Sequence, residues 1–159
     1  MALQAMWVHG HSATIELNRF GRGGGEDVGG VQWSALLGMR RGWGVEFRCQ
    51  DNSDYWFHFA IPTPVIDDGV RARLRRGGLL FTAGPAVNAQ LHPPVGRPTR
   101  VFTQDGLAIG GANVSIIPGR NWFNFPDREV LWGIGMSVLF RFADPGNVTL
   151  HTAGVDFES

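Results

Sequence analysis

Twice in the chain a tryptophan stands two residues before a histidine inside a strand-like run, Trp7-Val8-His9 and Trp56-Phe57-His58. Alternate residues of a strand point to one face, so each pair sets a flat apolar ring beside a group that can donate, accept, carry a proton or bind a metal. Small-molecule pockets are walled with such groups. The first run extends to His11, and His9-Gly10-His11 followed by Glu16 has the ligand types of a two-histidine, one-carboxylate site for a divalent transition metal. A third constellation, Arg120-Asn121-Trp122-Phe123-Asn124, reads as a loop in which tryptophan would stack on a sugar or other flat ring while arginine and asparagine supply directional hydrogen bonds. The candidate ligand-binding residues are therefore Trp7, His9, His11, Trp56, His58, Arg120, Asn121 and Trp122, and the candidate metal ligands are His9, His11 and Glu16.

Each constellation has a plainer reading. Trp56 and His58 lie on a strand expected to be central, where core packing with a hydrogen-bonded histidine accounts for both. His9 and His11 are expected to be surface or pocket histidines without metal, so no cofactor is expected and a divalent transition metal is the alternative. HGHSATIE, residues 9 to 16, is similar to the first metal motif of the cupins, which pairs His-x-His with a glutamate four or five positions later. That likeness implies ligand roles for His9, His11 and Glu16, yet the motif's leading glycine and its second half have no counterpart. Nothing selects a further ligand among His58, His92 and His151. Arg71, Arg73 and Arg75 should form a basic row with Arg76 just beyond, suited to gripping an acidic group or to charging an exposed sheet edge. Asp67, Asp68, Glu46 and Glu129 are its candidate partners.

Composition narrows the chemistry. All 14 basic residues among 159 are arginine, which removes a lysine Schiff base, a pyridoxal phosphate aldimine and a P-loop lysine. Formal net charge is zero, against the positive excess that general nucleic-acid binding requires. Cys49 is the only cysteine, so neither an intrachain disulfide nor a multi-cysteine zinc site can form. No Gly-x-Ser-x-Gly occurs. The N-terminal stretch lacks a basic leader with a long apolar core, and no run suits a membrane span, so a cytoplasmic protein is expected.

These residues must be positioned by strands, because period-two alternation recurs and helical periodicity does not. Val45, Phe47 and Cys49 alternate with polar neighbours, and the turn Asp51-Asn52-Ser53-Asp54 suggests a hairpin with Tyr55 to Ile61, a strand expected to be covered on both faces. Val70 to Arg75 alternates cleanly. Val101-Phe102-Thr103 and Leu107-Ala108-Ile109 flank an Asp-Gly turn, and Trp132, Ile134, Met136, Val138, Phe140 and Phe142 should share one face of a long strand. The glycine-rich segment 21 to 30 and the proline-rich segment 84 to 98 read as loops that could border a site.

The expected fold is a single all-β domain over residues 1–159, an antiparallel sandwich of jelly-roll type, with a closed or partly closed barrel as the alternative. Stretches such as MALQAMWVHGHS, WFHFAIPTPVIDDG and GIGMSVLFRF resemble a family of small bacterial all-β proteins of unknown function. The resemblance implies the β fold and carries no activity. The expected function is non-catalytic binding of a small molecule or glycan, the alternatives being a metal-dependent or cofactor-free enzyme and a structural, homo-oligomeric protein.

Overall fold

The computed structural model describes residues 3–15, 36–49, 54–64, 66–67, 69–84, 100–103, 108–110, 116–131, 133–142 and 146–159. Within them the chain is all β. Its strands are β1 (Leu3–His9), β2 (Thr14–Ile15), β3 (Leu36–Arg41), β4 (Gly44–Cys49), β5 (Asp54–Ile61), β6 (Ile66–Asp67), β7 (Val70–Arg71), β8 (Arg73–Ala83), β9 (Arg100–Thr103), β10 (Ala108–Gly110), β11 (Gly119–Glu129), β12 (Ile134–Arg141) and β13 (Gly146–Glu158). One 3₁₀ turn, Gly10–Ser12, follows β1.

Two antiparallel sheets carry the fold, and neither closes on itself, in contrast to the barrel alternative. The first runs β11-β8-β13-β4-β3 with β1 also on β13, and the second runs β10-β9-β12-β5-β2. β4 pairs with Gly146 to Leu150 and β1 with Thr152 to Glu158, so the two share one edge of β13 in succession. The ladder breaks at His151, where the register shifts.

Alternation decides which side of each strand is buried. On β5 Tyr55, Phe57, Phe59 and Ile61 are buried; on β12 Ile134, Met136, Val138 and Phe140 are, with Phe142 just beyond. β4, β8 and β13 contribute Val45, Phe47, Phe81, Val148, Leu150, Val155 and Phe157. The two apolar faces meet directly. Phe47 packs on Phe57 with ring centroids 4.7 Å apart, and Phe81 on Phe140 at 5.3 Å, each contact joining one sheet to the other.

That packing corrects two expectations. β4 and β5 do not form a hairpin, because β4 pairs with β3 and β13 while β5 pairs with β12 and β2. Both strands are apolar on their odd-numbered positions, and laying one face on the other buries more than edge pairing would. Nor is β5 covered on both sides, since Ala60 on its second face is exposed. The β9–β10 hairpin and the inward face of β12 from Ile134 onward stand as expected. The segments 16–35 and 85–99, with Glu16, Trp33 and His92, and also Trp132, lie outside the described residues, as does the side chain of Trp56.

The expected basic row is divided: Arg71 lies on β7, paired with β6, while Arg73, Arg75 and Arg76 lie on β8 and each meets a carboxylate. Arg73 pairs with Glu129, Arg75 with Glu158 and Arg76 with Asp156. Glu46 serves another cluster. It accepts from Arg48 Nε at 2.7 Å, from Arg41 Nη2 at 3.3 Å and from Asn147 Nδ2 at 3.4 Å. The hydrogen bond from Arg48 holds its carboxyl below the ordinary value of 4.5, outweighing the opposing effect of burial.

Candidate functional site

On the outer face of the first sheet one cross-strand row reads Trp7 (β1), Gly154 (β13), Gly78 (β8), Trp122 (β11). Large rings stand on the two flanking strands and no side chain stands between them. The rings occupy the gap. A Cβ on Gly154 would lie 2.4 Å from Trp7 Cδ2, and one on Gly78 would lie 2.4 Å from Trp7 Cη2 and 3.2 Å from Trp122 Cε3. Trp7 therefore lies down over backbone that only glycine can offer, and meets Trp122 edge to face at 5.2 Å between centroids.

The neighbouring row, Ala5, Asp156, Arg76 and Asn124, fixes both rings through one carboxylate. Asp156 is 2% exposed. Its Oδ1 accepts from Trp7 Nε1 at 3.4 Å and its Oδ2 from Arg76 Nε. Arg76 in turn places its guanidinium carbon 4.4 Å from the centre of the Trp122 ring, a cation–π contact. Trp122 still keeps 44% of its surface in solvent.

The row on the other side reads His9, Thr152, Leu80, Arg120. Thr152 Oγ1 donates to the Val8 carbonyl at 2.8 Å, which leaves it acceptor capacity for a further partner. Of these residues, Trp7, Arg76, Arg120, Trp122, Thr152 and Asp156 line a cleft of about 380 Å³, at the small end of the roughly 300–1,000 Å³ common for small-molecule sites.

Of the residues singled out in sequence, the structure brings Trp7, Arg120 and Trp122 into this cleft and places His9 at the end of one of its rows. Asn121 is corrected. Residues 120–124 are strand rather than loop, so Asn121 points to the opposite face, is buried, and spends its amide on the turn before β11: Oδ1 accepts from Ile117 N at 2.9 Å and Nδ2 donates to Ile117 O at 2.8 Å. His58 lies on the second sheet, its Nδ1 2.7 Å from Ser137 Oγ on the paired position of β12.

His9 and His11 are not alternate residues of one strand, because β1 ends at His9 and the 3₁₀ turn carries His11 away. His9 Nδ1 caps that turn by accepting from His11 N at 3.3 Å. His11 Nε2 lies 2.7 Å from Arg41 O and 2.9 Å from Gly44 O. Two carbonyl acceptors assign the ring proton to that nitrogen. His151 Nδ1 faces Trp43 O at 2.8 Å, so His11 and His151 both brace the β3–β4 turn. The two rings of His9 and His11 still touch edge-on at 4.3 Å. Among the described residues no three His, Cys, Asp or Glu side chains converge as metal ligands, and Glu16 is not among them.

Asp156, Gly78, Gly154 and Thr152 were not legible as site residues. Their signal was the pairing of β13 with β1 and β8, which brings Asp156 to Trp7 across 149 residues. No protein-family profile matches the chain, and no curated protein matches it in sequence.

Proposed function

We propose that the chain is a non-catalytic binding protein whose Trp7–Trp122 cleft takes the ring of a small molecule or glycan. The observation that carries this reading is the preset ring pair: two tryptophans lie on a glycine floor, held by one buried carboxylate, with Trp122 left partly open. Rings fixed before binding lose little freedom when a ligand arrives. Arg120 and Thr152 beside them supply the directional polar groups such sites use. Intrinsic tryptophan fluorescence and calorimetry across a glycan and metabolite panel test it. A response that Trp122→Ala abolishes is expected; no response in the wild-type protein overturns the reading.

A cofactor-free catalyst at His58 is the second reading, favoured by the 2.7 Å contact with Ser137 Oγ. Ser137 is only 6% exposed and sits opposite His58 in register, where a cross-strand hydrogen bond is sufficient reason for the pair. Labelling by a fluorophosphonate decides: a serine activated by histidine reacts, and an unlabelled Ser137 removes the catalytic reading.

A further inference from the structure

The charges of the cleft name the class of ligand, an inference that rests on the binding reading above. Only Arg76, Arg120 and Asp156 are charged among the lining residues. Arg76 and Asp156 neutralise one another. Arg120 is exposed and makes no ion pair among the described residues, whereas Arg73, Arg75 and Arg76 on the neighbouring strand β8 each have a carboxylate. Among the described residues the cleft therefore carries one unmatched positive charge, on Arg120. Arg120 stands two residues from Trp122 on the same strand and face, about 7 Å along it.

We propose that the cleft binds a hydroxylated ring bearing a carboxylate, of the uronic acid class, with the ring against Trp122 and the carboxylate on Arg120. The guanidinium fork matches a carboxylate with two parallel hydrogen bonds. Thr152 argues for hydroxyls on the same ligand. Its own proton is committed to Val8 O, so toward the cleft its oxygen can only accept, and the ligand must bring a donor. A purely aromatic acid supplies the ring and the charge without that donor.

The test uses the full chain and three probes measured by calorimetry: oligogalacturonides, galactose oligosaccharides of equal length, and benzoate. Oligogalacturonides should bind about 10- to 100-fold tighter than the neutral sugars, the range expected of a charge-assisted contact. Raising the salt concentration should narrow that gap. Arg120→Gln should reduce the acidic sugar to the neutral level with an unchanged melting temperature, since this exposed side chain makes no ion pair among the described residues. Trp122→Ala should abolish binding of both sugars. Equal binding of acidic and neutral sugars, or a preference that survives Arg120→Gln, overturns the assignment while leaving the binding site in place. Benzoate binding as tightly as the acidic sugar overturns the requirement for hydroxyls. If none of the three probes binds, the uronic acid assignment falls; the wider panel then decides separately whether the cleft binds anything.

Discussion

Asp156 holds more of the site than any residue that a ligand would touch. Its two oxygens reach Trp7 Nε1 and Arg76 Nε, and Arg76 covers part of Trp122, so one carboxylate sets two rings on strands that do not touch each other. Asp156→Asn keeps the volume and removes the charge. It should cost about 1–3 kcal/mol in urea unfolding, the range for losing charge-assisted hydrogen bonds at a buried site. It should also weaken the near-ultraviolet circular dichroism of the coupled indoles. An unaltered aromatic spectrum would show that the rings are held by packing alone. At this scale the sequence was legible by residue type: Trp7, Arg120 and Trp122 are aromatic and basic groups, although 120–124 reads as a loop and lies in β11. Asp156 was not, because AGVDFE reads as an ordinary strand until the partner 149 residues away is known.

Glycines in strands usually weaken them, yet Gly78 and Gly154 in strands and Gly10 in the 3₁₀ turn separate three kinds of constraint. At Gly78 the three atoms nearest an added Cβ belong to the rings of Trp7 and Trp122, side chains that must shift to admit it, whereas backbone need not. Gly78→Ala should therefore fold, at a cost of about 1–3 kcal/mol, and lose ligand response, as read by fluorescence titration. At Gly154 the Cβ also meets Met6 O at 2.7 Å, so Gly154→Ala should disturb the β1–β13 ladder as well. At Gly10 it would lie 1.8 Å from Leu150 O, backbone in the middle of the sheet. Gly10→Ala should be the least stable of the three by thermal melting, and a melting temperature equal to that of Gly78→Ala would contradict this ranking. Strand existence and facing followed from alternation, as β12 and the β9–β10 hairpin show. Partner choice did not: odd-numbered apolar residues on β4 and β5 fit a hairpin and two facing sheets equally well, and only packing of the whole core separates them.

Stability of the whole molecule should fall in acid through Glu46. Its folded value lies below the ordinary 4.5, so the unfolded chain takes up the proton first. The stabilisation is complete above 4.5 and is lost as pH drops through the lower folded value. Urea unfolding measured from neutral pH into that range should show a shallower acid loss for Glu46→Gln than for wild type; identical slopes would assign the loss to other carboxylates. No helix among the described residues is long and apolar enough to cross a membrane. The all-β class was legible from alternation alone, while the order of the strands within each sheet was not.

The cleft draws Trp7 from β1 and Asp156 from β13, a separation of 149 residues, with Arg76 and Trp122 from strands between them. Such a site can exist only after the longest loop in the ladder has closed, which places it late on the folding route. Contacts absent from the transition state act on the rate of escape from the native state rather than on the rate of arrival. A bound ligand should thus lengthen the native lifetime and leave the refolding rate as it is, turning the cleft into a kinetic clasp between β1 and β13.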